Sequence, residues 1–144
     1  MAQISLNSTG VASNGALALQ SNGTTTAVTI DTSQNVGVGT GSPSAKLDLA
    51  GDYKEGVVTA NTGTTYTISL TSGTVQILTL TGNCTFTFST TGLSSGAYSF
   101  TLILANDATA GRTITWPASV KWPNATVPTR TTTASKTDVY TFFT

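Results

Sequence analysis

The chain is organised around one segment, Thr29-Ile-Asp-Thr-Ser-Gln-Asn-Val-Gly-Val-Gly-Thr-Gly-Ser-Pro-Ser-Ala-Lys-Leu-Asp-Leu-Ala-Gly51. The segment is nearly uncharged and rich in Gly, Ser, Thr and Asn, yet it keeps short apolar-x-apolar units. Units of this length cannot bury enough surface within one chain to offset the ordering of the backbone, which costs roughly 1–2 kcal/mol per residue. We therefore predict that residues 29–51 are ordered, and that contacts outside their own chain order them.

The same pattern covers residues 1–56, which we interpret as an extended N-terminal arm. Its apolar units recur roughly every ten residues and are separated by Asn-Gly, Thr-Gly or Gly-x-Gly turns. Threefold intertwining of copies, or docking on a partner surface, would order such an arm. The predicted partner contacts are the apolar residues of these units: Ile4, Leu6, Leu17, Leu19, Val28, Ile30, Val36, Val38, Leu47 and Leu49.

Residues 57–144 have the pattern of an all-β domain. Thr makes up 32 of the 144 residues of the chain, and this stiff β-branched residue favours strands over helices. Short apolar or alternating segments are the predicted strands: residues 65–71, 75–80, 84–88, 97–104, 112–116, 119–122 and 136–143. Strands at spacings of roughly 8–12 residues indicate a sandwich or a barrel. Early hairpins and a long loop before the last strand favour a jelly-roll-like β-sandwich.

The chain lacks the residue types on which most catalytic and metal sites depend. It has no histidine, the commonest general base and transition-metal ligand. Its single cysteine, Cys84, therefore has no histidine partner for nucleophilic catalysis. We interpret Asp107 and Asp138, the carboxylates of the β domain, as a turn former and a strand-entry cap rather than a glycosidase pair. We predict no enzymatic activity, no cofactor and no metal site.

Composition also argues against nucleic acid and membranes as partners. Charged residues make up 8% of the chain, whereas roughly 25% is usual. The six basic residues are scattered singly, so we expect no basic patch for nucleic acid. No run approaches the roughly 20 apolar residues that span a bilayer, and the N-terminus lacks the pattern of a signal peptide. The densest charge cluster, residues 51–56 with Asp48 just before it, is interpreted as a solvated linker between arm and domain.

Trp116 and Trp122 are the candidate aromatic contacts of the β domain. Each precedes a proline, which favours an extended conformation and can set both rings on one loop edge. Core packing or a trimer interface explains them better than contact with a glycan, which stays the alternative.

Two parts of the sequence resemble fibre proteins of tailed bacteriophages. Residues 29–51 are similar to a module that recurs in these proteins, above all in phages of cyanobacteria. Residues 97–143 resemble the β domains that follow such modules, through Ile114-Thr-Trp-Pro117, Val120-Lys-Trp-Pro123 and Lys136-Thr-Asp-Val-Tyr-Thr-Phe-Phe143. Proteins of this family are usually homotrimers, so the resemblance implies a homotrimer on the virion exterior.

Two functional hypotheses follow from the resemblance. The first is a trimeric capsid decoration (cement) protein whose arm docks on the major capsid protein and stabilises the shell by binding only its assembled form. The alternative is a short tail fibre, or a fragment of one, that binds a host-surface glycan through residues 116–130. The first places the chain on the capsid surface and the second on the tail.

Overall fold

The computed structural model of the protein describes residues 15–21 and 25–143. This part of the chain is all β and contains no α-helix, which confirms the predicted fold class. The chain divides into two compact units between Lys54 and Glu55. Each unit is described by itself below.

The N-terminal unit is a four-stranded sheet. Its strands are β1 (Leu17–Ser21), β2 (Thr25–Ile30), β3 (Val36–Val38) and β4 (Leu47–Leu49), in the spatial order β1-β2-β3-β4. The first three strands pair antiparallel, whereas β3 and β4 pair in parallel. The extended arm that we predicted is therefore not confirmed, because its apolar units fold back and pair with each other.

Short-range hydrogen bonds explain why so small a sheet can turn back on itself. The carboxylate of Asp31 accepts from the backbone N–H of Ser33 at 2.8 Å and from that of Asn35 at 2.9 Å, which fixes the β2–β3 turn. These bonds, that of Asn35 above all, hold the pKa of Asp31 below its usual value. Asp48 likewise accepts from the backbone N–H of Ser44 at 2.8 Å in the β3–β4 connection. The polar, Gly-rich segments thus form defined turns.

The C-terminal unit has two sheets. The front sheet contains β5 (Val57–Asn61), β7 (Val75–Leu80), β9 (Ser99–Asn106) and β11 (Thr137–Phe143), in the order β11-β9-β7-β5. The back sheet contains β6 (Thr65–Ser69), β8 (Cys84–Ser89) and β10 (Ile114–Thr115), in the order β10-β8-β6. Residues 119–122, predicted as a strand, form a turn and an irregular segment instead, followed by a short 3-10 helix over Pro123–Ala125.

From β5 to β10, successive strands alternate between the front and back sheets. Within each sheet, every strand pairs in parallel with the strand two earlier in the chain. In the front sheet Val57 pairs with Val75, which pairs with Thr101, and in the back sheet Thr65 pairs with Thr85. This is the pattern of a two-sheet β-solenoid with three coils. Strand β11 then pairs antiparallel with β9 and ends the stack. The jelly-roll topology is not confirmed, because connections expected to be hairpins carry the chain across to the other sheet.

The hydrophobic core lies between the front and back sheets. Its buried members are Ile68, Leu70, Leu78, Leu80, Cys84, Phe86, Phe100, Leu102 and Leu104. Parallel stacking brings residues of the same coil position together, as in the row Ala60–Leu78–Leu104. Full burial of one Leu or Phe side chain contributes about 1.5–3 kcal/mol, so this core is what makes the solenoid stable.

A polar cluster around the buried side chain of Asn106 fastens the last loop to the end of the solenoid. The side-chain amide of Asn106 donates to the carbonyl oxygens of Thr131 at 2.9 Å and Thr133 at 2.8 Å. The guanidinium of Arg130 donates to Asn106 Oδ1 and to the carbonyl oxygen of Arg112. A long Thr-rich loop without strands is thereby held in one conformation.

Candidate interaction surfaces

The N-terminal sheet gathers aliphatic residues on one face. Strand register forms two rows across its four strands, Leu17–Ile30–Val36–Leu47 and Leu19–Val28–Val38–Leu49. We call these eight residues the N-terminal aliphatic face. They are eight of the ten partner contacts that the sequence predicted, whereas Ile4 and Leu6 lie outside the described residues.

Half of this face is exposed in the single chain, whereas Leu17, Val28, Val36 and Val38 are half-buried. Leu47 is 69% and Leu19 is 53% exposed, and the rows contain no charged residue. On the opposite face Gly37 is packed against its own chain, since a Cβ added there would lie 2.7 Å from the carbonyl oxygen of Thr40 and 3.4 Å from Cβ of Pro43. Apolar patches that are contiguous and exposed mark association surfaces in soluble proteins. The face can bind another apolar surface, although no described contact identifies that surface.

The sequence identified these residues but not their arrangement. Each apolar-x-apolar unit puts its two apolar side chains on the same side of a strand, because side chains alternate along a strand. What the sequence did not show is that all four strands pair in registers that bring the units onto one face. Asp31 was a local signal for the turn between β2 and β3. Its carboxylate accepts from the backbone N–H groups of Ser33 and Asn35, and an Asp in this position is typical of a tight turn.

The structure brings Trp116 and Trp122 together, with ring centroids 5.4 Å apart. Trp116 also stacks on Phe86 at 5.5 Å and meets Phe142 at 5.7 Å, so it joins the aromatic packing at the edge of the core. The ring centroid of Tyr140 lies 5.2 Å from that of Trp116, and burial raises the pKa of the Tyr140 phenol. Both tryptophans are half-buried, which leaves part of each ring accessible at this edge.

Cys84, Asp107 and Asp138, the side chains considered for catalysis in the sequence, have structural contacts. Cys84 is buried in the core, and burial raises the pKa of its thiol. Asp107 forms an ion pair of 2.7 Å with Arg112, whose hydrogen bond holds the pKa of this carboxyl below its usual value. Asp138 accepts a 2.9 Å hydrogen bond from the backbone N–H of Thr131. Asp107 therefore fixes the loop between β9 and β10, and Asp138 fixes part of the loop before β11.

No group of three or more His, Cys, Asp or Glu side chains among residues 15–21 and 25–143 is placed to hold a metal ion. Over the same residues there is no helix with the length and apolarity needed to cross a membrane.

The described residues form an all-β structure with an exposed patch of aliphatic side chains in the N-terminal unit. Residues 64–144 match the family model described as "Putative phage tail fibre C-terminal domain". This match covers more than half of the chain, and the protein belongs to that family. It is therefore an exterior component of a phage virion. Comparisons with curated proteins and with solved structures give no match.

The match places most of the C-terminal unit within the family. It begins one residue before β6 and includes the back sheet, the core and the closing strand β11. It does not distinguish phages of cyanobacteria from other phages. The N-terminal aliphatic face lies before the matched residues.

Proposed function

We propose that the protein is a segment of a phage tail fibre that assembles as a homotrimer. The observation that carries this proposal is the membership of residues 64–144 in a family of tail-fibre domains. This membership favours the fibre over the capsid decoration protein that we placed first from the sequence, because the family description names a tail component. A structural role fits a chain built from a solenoid core and an open apolar face, and we propose no catalytic activity.

The N-terminal aliphatic face supports self-association. Four of its members, Leu19, Ile30, Leu47 and Leu49, are between 39% and 69% exposed in the single chain. Completing the burial of a half-exposed Leu or Ile contributes on the order of 1 kcal/mol. Three copies around a common axis would turn all three faces inward and cover them together, and the resemblance to trimeric fibre proteins favours that number.

Docking on a capsid would cover the same face, so location on the virion separates the two hypotheses. Antibodies against the full-length protein, carrying gold, are applied to intact virions and examined by electron microscopy. We expect gold at the tail and its fibres. Gold spread over the capsid faces would contradict the tail-fibre proposal and restore the decoration protein, and serum taken before immunisation provides the control.

Binding of a host-surface glycan is a second function that we propose for the C-terminal unit. The supporting observation is the half-buried pair Trp116 and Trp122, which offers aromatic surface at one edge of the domain. Trp122 is the better position to test, because Trp116 contacts the core ring of Phe86. We expect Trp122→Ala to reduce binding of the full-length protein to host cells while circular dichroism is unchanged. Undiminished binding by this variant would argue against a glycan site at the pair.

A further inference from the structure

A pocket of about 300 Å³ lies in the loop that connects β8 to β9. We call it the loop pocket, and its lining residues are Thr90, Leu93, Ser94, Ser95, Gly96 and Tyr98. Pockets that bind small molecules have volumes of about 300–1,000 Å³. The loop pocket is at the small end of this range, so it has room for one small ring rather than for a larger ligand.

Hydrogen bonds within the loop fix the shape of the loop pocket. The backbone N–H of Leu93 donates to the carbonyl oxygen of Thr90 at 3.0 Å, which closes a tight turn with Gly92 at a φ of +86°. The phenol of Tyr98 donates to the carbonyl oxygen of Ser94 at 3.0 Å, and its ring packs against the hydrophobic core. A pocket that is held in this way loses less conformational entropy when a ligand binds.

The lining combines free hydroxyl groups with a small apolar surface. The hydroxyls of Thr90, Ser94 and Ser95 make no hydrogen bond within the described part of the chain, and each can both donate and accept. Leu93 and the ring of Tyr98 supply the apolar surface. No residue from 84 to 106 is charged except Asn-flanking positions outside this range, so a charged ligand group would lose water here without gaining a partner. An uncharged ring with several hydroxyl groups, which is a neutral sugar unit, matches this lining.

The loop pocket lies at the same end of the C-terminal unit as Trp116 and Trp122. Phe88, just before the loop, has its ring centroid 6.5 Å from that of Trp116 and 5.2 Å from that of Phe142. Phe100, just after the loop, stacks on Phe142 at 4.9 Å. The ring of Phe142 in turn lies 5.8 Å from that of Trp122. One aromatic cluster therefore joins both ends of the loop to the tryptophan pair.

We propose that the loop pocket binds one uncharged sugar unit of the glycan chain that contacts Trp122. This inference rests on the glycan binding proposed above and deepens it, because it names the class of sugar and a second place of contact. Trp122 offers an aromatic surface, whereas the loop pocket offers hydroxyl groups that distinguish one sugar from another. A glycan that reaches both places binds more tightly than at either alone, because the second contact forms within the same complex.

The test uses the full-length protein and saturation-transfer NMR. The probes are free glucose, galactose, mannose and N-acetylglucosamine, with glucuronic acid as the charged comparison. We expect saturation transfer to at least one neutral sugar, with a Kd of about 1 mM, and none to glucuronic acid. A pocket variant with Thr90→Val and Ser95→Ala should bind that sugar about tenfold more weakly, because two hydroxyl partners are removed. Thr91→Val, an exposed neighbour outside the lining, is the matched control and should bind like the native protein.

The outcomes separate the inference from the proposed glycan binding. No transfer to any of the neutral sugars, or equal binding by the pocket variant and Thr91→Val, would overturn the inference. Binding of the same proteins to host cells is then compared with that of Trp122→Ala, after circular dichroism has shown that each variant is folded. If Trp122→Ala binds less but the pocket variant binds like the native protein, glycan binding at the tryptophan pair stands and the inference fails. If neither variant binds less, the proposed glycan binding itself is contradicted.

Discussion

At the scale of single residues, Asn106 carries much of the order in the C-terminal loop. It is 4% exposed, its side-chain amide nitrogen donates to the backbone carbonyl oxygens of Thr131 and Thr133, and its side-chain Oδ1 accepts from Arg130. A buried polar group that loses its partner costs about 1–3 kcal/mol, so one substitution here leaves several groups unsatisfied.

We therefore expect Asn106→Ala to lower the free energy of unfolding by about 1–3 kcal/mol, because its half-buried hydrogen-bond partners lose the side chain that holds them. Urea unfolding followed by tryptophan fluorescence measures the change. Asn61→Ala, at an exposed position of β5, is the matched control and should change stability little. Equal stability of the two variants would show that the loop is not held by this cluster.

Asp31 gives a second residue-level prediction, on pH. Because its pKa is lowered by the hydrogen bonds of Asn35 and Ser33, its contribution to stability is present above the ordinary value of 3.8 and is lost as pH falls through the lowered pKa. Asp31→Asn should lower the unfolding temperature at pH 7, and the difference from the native protein should shrink near pH 3. Exposed Asp52→Asn is the control. A difference that is the same at both pH values would contradict this role.

The buried thiol of Cys84 gives a third residue-level prediction, on its reactivity. Burial raises its pKa and blocks access, so the thiolate that reacts with disulfide reagents is scarce. We expect almost no reaction with Ellman's reagent at pH 8 in the folded protein and complete reaction in denaturant. Rapid reaction in the folded protein would mean that the core between the sheets opens easily.

At the scale of elements, the back strands contribute an inner row of aromatic rings. Tyr66 meets Phe86 with ring centroids 6.4 Å apart, and Phe86 stacks on Trp116 at 5.5 Å. These three rings come from successive coils, which parallel stacking brings side by side. Phe86 is 2% exposed, whereas the next residue along β8, Thr87, points to water.

Phe86→Ala should consequently destabilise the protein by about 3–5 kcal/mol, through lost burial and the cavity left between two rings. Thr87→Ala on the same strand should change stability by less than about 0.5 kcal/mol, as surface substitutions usually do. Thermal unfolding followed by circular dichroism compares the two variants. A similar loss of stability in both variants would mean that Phe86 does not face the core while Thr87 faces water.

The elements themselves were largely predictable, since alternation marks a strand whatever it pairs with. Residues 75–80, predicted from their apolar run, are β7, and residues 84–88 lie within β8 (Cys84–Ser89). Residues 119–122 were wrongly predicted as a strand. Their apolar residues pack as loop side chains, and Trp122 rests on Trp116 and Phe142.

Topology was not predictable, because a hairpin and a crossover leave the same alternation in the sequence. The three residues 81–83 between β7 and β8 are short enough for a hairpin, yet they carry the chain from the front sheet to the back sheet. Only the stacking of coils decides between a hairpin and a crossover. This stacking depends on contacts between residues that are far apart in the sequence.

At the scale of the whole molecule, the exposed aliphatic side chains of the N-terminal sheet lead us to expect that the protein functions as an assembly. The N-terminal aliphatic face was predicted residue by residue from its apolar units, but the shared face appeared only with the registers of β1 to β4. Membership in the tail-fibre family places the molecule on the virion exterior. Self-association through the N-terminal aliphatic face is the central claim, because it connects this sheet with a role in a virion fibre.

The native mass of the full-length protein tests this claim most directly. Light scattering at micromolar concentration should give three times the chain mass of 14.7 kDa, about 44 kDa. A variant with Leu19→Ser and Leu49→Ser should lose that mass, because both residues belong to one row of the face. Ala18→Ser, on the other side of β1, should keep it. A native protein that is folded and monomeric, or a double variant that stays trimeric, would contradict the account.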